Sequence, residues 1–328
     1  MPGGFAANGA DGVEWGAADA AGVLRVPTAG DHKYSRGVVS LRTGSPAYPG
    51  AAVLSVEGAA RGGAGMVVWH GEPAVARFVL QRRPEVVIGR GGRVDATVIG
   101  SGVSGRDRGE SVTGALRSVL RSGTPAVIDA GALDLVTDVR GPVIVTPHDA
   151  ELAELRIPLG LGIDDIEADP LKLRLRAGFA ERVLVVRETA VALGGVVLLK
   201  GAETIVATPG GWWTVVRSGT PWLATAGTGD VLAGLTGTLL STAAAQASRA
   251  SDRDALDVEE LGPIAATAAW LHGVAGRLAA GQAVPDDAVG PGAQVPDEQG
   301  GIGRPITALD AAEHLPAAIG IALAAGTR

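Results

Sequence analysis

Thr225-Ala226-Gly227-Thr228-Gly229-Asp230-Val231-Leu232-Ala233-Gly234 is the stretch on which the reading of this chain turns. Two glycines alternate with small residues, an acid follows, and Val231, Leu232, Leu235 and Leu239 continue at helical spacing. The pattern predicts a tight glycine turn feeding a helix N-terminus. Gly227 and Gly229 can adopt backbone angles closed to residues with a Cβ, and they let a ligand approach the peptide N–H groups. Free N–H groups at a helix start, with the helix dipole, form an anion site. Ala226, Gly227, Thr228 and Gly229 would supply it here. Asp230 would repel a phosphate held there. It makes sense as a base that takes the proton from a hydroxyl attacking that phosphate. The same letters also describe an ordinary helix start with an acid favoured by the dipole, and this segment alone does not choose between the two.

Upstream, strand and helix patterns alternate. Val38 to Leu41, Met66 to Trp69, Glu85 to Ile88, Ala96 to Ile99, Ala126 to Asp129, Val143 to Val145 and Val196 to Leu199 read as strands. Ala51 to Arg61, Ala74 to Arg82, Ser111 to Arg121 and Leu171 to Val185, reaching toward Leu193, read as helices. Ile205 to Ala207 and Trp212 to Val216 form a strand pair joined at Pro209-Gly210-Gly211. Such alternation predicts an α/β fold, a mostly parallel central sheet with helices on both faces. Ligands of such sheets bind beyond the carboxyl ends of the strands. Downstream, Pro263 to Ala280 and Ala308 to Ala324 read as helices, with surface loops at about 242–260 and 284–304. Residues 1–30 show no sustained period and read as a flexible lead-in with one short helix at most; residues 31–328 read as one domain.

Composition narrows the function classes. The 328 residues carry a net charge of −7 and no long basic run, which argues against a nucleic-acid partner. Aromatic residues make up 3% of the chain, so the core must be built from Ala, Val and Leu. There are no cysteines, hence neither disulfides nor thiolate metal sites, as fits a reducing cytoplasm. Residues 1–16 lack the basic and apolar regions of a signal peptide. The apolar runs are strand-length or broken by Gly, Pro or charge, and none reads as a membrane span.

Several other loops invite chemistry. Lys200-Gly201-Ala202-Glu203-Thr204 lies between two strands, where a glycine beside a lysine suits a backbone folded over a nucleotide; a plain hairpin turn has the same letters. His148, in Thr146-Pro147-His148-Asp149-Ala150-Glu151, stands at a strand end as a ligand contact or a surface histidine. Asp149 or Thr146 would cap the helix that follows, and no second cluster supports a metal site, so the metal is unknown. Gly100-Ser101-Gly102-Val103-Ser104-Gly105 has the spacing of a dinucleotide fingerprint, and Asp129 ends the next strand. That loop alone leaves a Rossmann dehydrogenase open, although it gives the Asp230 and Lys200 loops no role. Adjacent Trp212 and Trp213 must face opposite sides of a strand, one in the core and the other free to cover a base. His272, inside a long helix, reads as structural.

Taken together these segments resemble the ADP-dependent NAD(P)H-hydrate dehydratases, a branch of the ribokinase-like family. The resemblance rests on an ordered set: Tyr48-Pro49-Gly50-Ala51-Ala52, Gly63-Ala64-Gly65-Met66-Val67, the Gly100 to Gly105 loop, Thr146-Pro147-His148, Lys200 to Thr204, Gly227 to Gly234, and Leu271-His272-Gly273-Val274-Ala275-Gly276. It extends from about Asp31 to Gly320, and Thr307-Ala308-Leu309-Asp310 resembles the family's closing segment. Beside these motifs the chain departs from the pattern at Asp149-Ala150, Ala226 and Arg277.

The resemblance implies a ribokinase-like fold and repair of hydrated NADH or NADPH, the (6S) form, with ADP or ATP as phosphoryl source. It implies that Lys200, Gly201, Ala202, Glu203, Thr204 and Gly229 hold the adenine nucleotide. Ala51, Gly105, His148 and Asp230 would hold the hydrated nicotinamide nucleotide, with Asp230 as the catalytic base. It further implies Mg²⁺, a homo-oligomer and a cytoplasmic enzyme. Two-part members carry an epimerase domain in front, so a separate epimerase is the expected functional partner. A small-molecule kinase of the same fold, acting on a hydroxymethylpyrimidine, a thiazole or a sugar alcohol, uses the same glycine turn and base. A nucleotide-binding sensor without turnover is a third reading.

Overall fold

Short apolar runs become strands here because both of their faces are covered. A computed structural model describes residues 13–89, 92–105, 108–161, 170–250, 256–285 and 301–327. The strands are β1 (Val38–Arg42), β2 (Met66–Trp69), β3 (Val87–Ile88), β4 (Ala96–Ile99), β5 (Ala126–Ile128), β6 (Val143–Val145), β7 (Val196–Leu199), β8 (Thr204–Ala207) and β9 (Trp213–Val216). They form a nine-stranded sheet in the order β3-β2-β1-β4-β5-β6-β7-β8-β9. All pairs from β3 to β7 are parallel, and β8 and β9 close the sheet as an antiparallel hairpin.

Residues along each strand alternate between two cores. Val39, Leu41, Val98, Val127, Ile144 and Leu198 pack on one face, beneath α1 (Ala17–Val23), α2 (Pro49–Arg61), α3 (Pro73–Arg82), α8 (Thr228–Ala247), α9 (Leu261–Ala280) and α10 (Ala308–Ala325). Ile99, Ile128, Val145, Val197 and Leu199 pack on the other. There they meet α4 (Glu110–Leu120), a 3-10 helix over Ala130–Asp138, α5 (Asp149–Arg156), α6 (Pro170–Arg176) and α7 (Phe179–Leu193). The expected parallel sheet with helices on both faces is therefore present. Because both faces are buried, the strands read as continuous apolar runs.

Four local expectations need correction. Residues 14–23 are not a loose lead-in: Glu14 bridges to Val215, Trp15 is buried, and Ala17 and Ala20 of α1 are fully buried against α9 and α10. Residues 242–247 are not a surface loop but the last turns of α8, with Ala244, Ala245 and Ala247 buried. The helix expected over Leu171–Leu193 is two helices, broken where Gly178 takes φ +133°. Trp212 and Trp213 do face opposite sides, but both are core: Trp212 meets Trp15 edge-on at 5.8 Å and Trp213 packs on Phe179. Neither is free to cover a base. Residues 1–12, 251–255 and most of the expected 284–304 loop lie outside the described residues.

α10 is long and apolar enough to cross a membrane. In this fold it turns the stripe Ala308, Ala311, Ala312, Leu315, Ala318 and Ala322 onto neighbouring helices and carries Asp310, Glu313 and His314 elsewhere on its surface.

Candidate active site

The loops that leave the carboxyl edge of the sheet converge with the N-terminus of α8. Gly227 caps that helix with φ +91°, a left-handed conformation that favours glycine. An added Cβ there would stand 2.4 Å from Leu54 Cδ1, so the turn is wedged against α2. Gly229 differs from expectation: it is a first-turn helical residue without a left-handed φ, and a Cβ on it would make only an ordinary contact with Lys200 Nζ, at 3.6 Å. The first helical bond runs from the Val231 N–H to the Gly227 oxygen at 3.2 Å, leaving the preceding N–H groups at the helix mouth. Thr228 Oγ1 donates toward the oxygens of Leu223 and Thr225, 2.9 and 3.0 Å away, and pins the turn from behind.

Lys200 is the hub of the charges. Its Nζ donates to Asp129 Oδ1 at 2.9 Å and lies 3.4 Å from Glu151 Oε2. Burial works against the ammonium, but the two carboxylates outweigh it and raise its basicity. Asp129 is buried and also accepts from Ser101 Oγ and Thr146 Oγ1, each at 2.8 Å. Asp230 is half-buried. Burial first, and the Asp129 charge second, push its carboxyl up to about 7 against the pull of Lys200. The site thus holds a carboxylate poised for proton transfer near neutrality, beside donors suited to an anion.

A cleft of about 490 Å³ opens beside this cluster. Lys200, Gly201, Ala202, Thr204, Thr228 and Gly229 line it, with an apolar wall of Val216, Leu223, Leu232 and Ala269. Glu203 and His148 line an adjoining cleft that shares Lys200, Gly201 and Ala202. Glu203 also pairs with Arg217 at 2.8 Å. His148 itself, rather than Asp149 or Thr146, caps α5: its Nδ1 accepts from the Glu151 N–H while Glu151 Oε2 accepts from the His148 N–H. Ala51 and Gly105 line neither cleft. They flank the glycine loop after β4, where a Cβ on Gly102 would stand 2.4 Å from Ala51 Cβ.

The structure brings to the site two residues to which the sequence reading gave no role there, Asp129 and His272. Asp129 was visible as an acid ending a strand, but its inward bonds to Ser101 and Lys200 depend on neighbouring strands. The close packing of Gly100 on the Asp129 oxygen, 2.0 Å from an ideal Cβ, explains that glycine's place in the fingerprint-like loop. His272 lines the cleft walled by Val216 and Leu223, and its buried Nε2 has no hydrogen-bond partner. Burial pushes its imidazole down to about 4, against a hydrogen bond to the Thr228 backbone, so the ring is neutral at pH 7.

A family model described as NAD(P)H-hydrate dehydratase matches residues 39–290. The ADP-dependent (S)-NAD(P)H-hydrate dehydratase of Neisseria meningitidis serogroup B is 32% identical over 272 residues, 77% of this chain and 80% of that protein. The bifunctional NAD(P)H-hydrate repair enzyme of Mycobacterium leprae is 38% identical over 237 residues, which are 69% of this chain and 45% of that enzyme. The chain therefore spans a little under half the length of the first curated relatives it matches. The ADP/ATP-dependent NAD(P)H-hydrate dehydratase from Bacillus subtilis, co-crystallized with ATP/Mg²⁺, shares the fold with a TM-score of 0.71 at 24% identity, covering 94% of this chain and 98% of that one. A ribokinase-like superfamily protein from Enterococcus faecalis does so at 0.69 and 20% identity, covering 94% and 95%. With a family match over more than half of its residues and a relative 32% identical across four fifths of its own length, the chain belongs to the NAD(P)H-hydrate dehydratase family.

Proposed function

We propose that this protein dehydrates (6S)-hydrated NADH or NADPH back to the reduced dinucleotide at the expense of ADP, releasing AMP and phosphate. The observation that carries the proposal is Asp230: a carboxylate raised to about 7 in the first turn of a glycine-capped helix, beside Lys200. Hydroxide is a poor leaving group, so the hydrate's C6 hydroxyl must first be made a better one. Asp230 takes the hydroxyl proton as that oxygen attacks the terminal phosphoryl group of ADP, and the bond from that phosphorus to the bridging oxygen breaks, leaving AMP. The ring nitrogen's lone pair then expels phosphate, and loss of a proton from the neighbouring ring carbon restores the double bond. The N–H groups at the mouth of α8 stabilise charge on the transferred group.

Lys200, Gly201, Ala202, Thr204 and Gly229 hold ADP in the cleft walled by Val216 and Leu223, with Glu203 beside it. Ala51, Gly105 and His148 position the hydrated nicotinamide nucleotide toward Asp230. Among the described residues no group of three acids or histidines could cage a metal, and Asp129 and Glu151 are engaged by Lys200. That donor set suits a Mg²⁺ bound mainly through phosphate oxygens and water, where it neutralises phosphate charge. A homo-oligomer in the cytoplasm, served by an NAD(P)H-hydrate epimerase on a separate chain or domain, completes the proposal. The name of the Mycobacterium leprae relative, a bifunctional repair enzyme, supports coupling to a second repair activity.

The test mixes the protein with hydrated NADH or hydrated NADPH, Mg²⁺ and either ADP or ATP, and follows the near-ultraviolet absorbance of the reduced ring. A rise that requires the adenine nucleotide is expected, faster with ADP. A flat trace from a folded, nucleotide-binding protein, together with a stable phosphorylated product from a small alcohol, would instead establish the kinase.

A further inference from the structure

The order of the sheet reverses between β1 and β4: β1 continues to β2 on one side, and β4 continues to β5 on the other. The helices that follow these strands leave to opposite faces, α2 to one core and α4 to the other. Their loops part at the carboxyl edge, the place where open α/β sheets take ligands. Arg42 is the last residue of β1 and lies in register with Ile99, the last residue of β4. Its side chain is half-buried, yet among the described residues it makes neither an ion pair nor a hydrogen bond, and its Nε is buried without a partner. Other arginines drawn into this chain are matched: buried Arg156 by Thr189 and Glu188, half-buried Arg83 by Glu57 and Arg25 by Asp31. One register step beyond Leu41 and Trp69, His70 stands next to Arg42, close enough that the guanidinium adds to burial in lowering its basicity. Taking a charge out of water without a counter-charge is costly, so the notch presents a cation prepared for an anion.

We infer that Arg42, with His70 beside it, receives a phosphate of the dinucleotide substrate at the crevice between β1 and β4, as a binding residue separate from the ADP cleft. The inference rests on the proposed dehydration of a dinucleotide. Ala51 opens α2 after β1, and Gly105 lies in the loop after β4, so the nicotinamide end and Arg42 occupy the same crevice. The phosphate belongs either to the pyrophosphate bridge, common to both hydrates, or to the 2′-phosphate, present only in hydrated NADPH. An arginine can grip either in a bidentate manner.

The experiment compares wild type, Arg42→Gln and Arg42→Lys at saturating ADP. Arg42→Gln is expected to raise KM for the hydrate by about 10- to 100-fold while kcat and the KM for ADP hold, with Arg42→Lys in between. Equal rises for both hydrates assign Arg42 to the pyrophosphate; a rise for hydrated NADPH alone assigns it to the 2′-phosphate. Unchanged KM values for both hydrates overturn the inference and leave the dehydratase standing. Should wild type dehydrate neither hydrate, the proposed function fails by itself. Calorimetry with inorganic pyrophosphate then decides the notch: binding lost in Arg42→Gln supports an anion site, and binding absent or unchanged removes it. The glutamine removes an unmatched charge, so the variant is expected to melt no lower than wild type.

Discussion

Asp230 carries a conflict that can be measured in two ways. As a base it must be ionised, so kcat/KM is expected to rise with pH through about 7 and level off above it. Asp230→Asn is expected to keep ADP affinity and to lose about 10²–10⁴ in rate; retention of most of the rate would remove Asp230 as the base. For stability the sign is opposite. The folded carboxyl is raised to about 7 from an ordinary 3.8, so it favours folding below about 4, and that contribution is lost as pH rises to about 7. Asp230→Asn should therefore stabilise the protein at pH 8 by about 1–2 kcal/mol, less than the full shift implies because water reaches the half-buried group, and by little at pH 4. Asp129 tests the cause: Asp129→Asn removes a repelling charge and frees Lys200 to attract Asp230. The acidic limb of the kcat/KM profile should then move below pH 7. Asp230 and Lys200 each sit in a distinctive local pattern, which is why the sequence singles them out. The contacts that join them to the rest of the cluster have no local sign, since Lys200 stands 71 residues downstream of Asp129 and Thr228 stands in another helix from His272.

At the scale of elements, α2 and α8 matter because they approach too closely for side chains. A Cβ on Gly58 would lie 2.1 Å from the Val231 oxygen, and one on Gly234 would lie 1.9 Å from the Ser55 oxygen. The contact fixes Asp230 on α8 relative to Ala51 on α2. Gly234→Ala should force the helices apart, lowering stability by about 1–3 kcal/mol and raising the KM for the hydrate; a denaturant curve coincident with wild type would show that the crossing has slack. Most elements were legible, because apolar runs bounded by glycine and proline mark buried strands. The end of α8 was misread, since Thr242-Ala243-Ala244-Ala245 has weak apolar character and is helical through its burial. The 3-10 helix over Ala130–Asp138 had no periodic signal at all; it forms beneath the glycine loop, where Gly131 meets the Val103 oxygen.

At the scale of the molecule, the segment ahead of the sheet acts as a clasp. Trp15 Nε1 donates to Thr267 Oγ1 at 3.2 Å, its N–H donates to the Val215 oxygen at 2.9 Å, and α1 rests on α9 and α10. A short alanine-rich stretch gives no local sign of this, because its partners lie at the far end of the chain. Trp15→Ala should cost about 3–5 kcal/mol in chemical denaturation. A loss below about 1 kcal/mol would mean that the segment adds little to the fold.

The same clasp sets an order of events during synthesis. The indole of Trp15 is made 252 residues before the hydroxyl that receives it. At ordinary rates of translation that interval is about 10–50 s. Throughout it the emerging chain must keep a large aromatic group and a small apolar helix without their seat, exposed to solvent or to chaperones. Completion of α9 and α10 is thus the event that covers this surface.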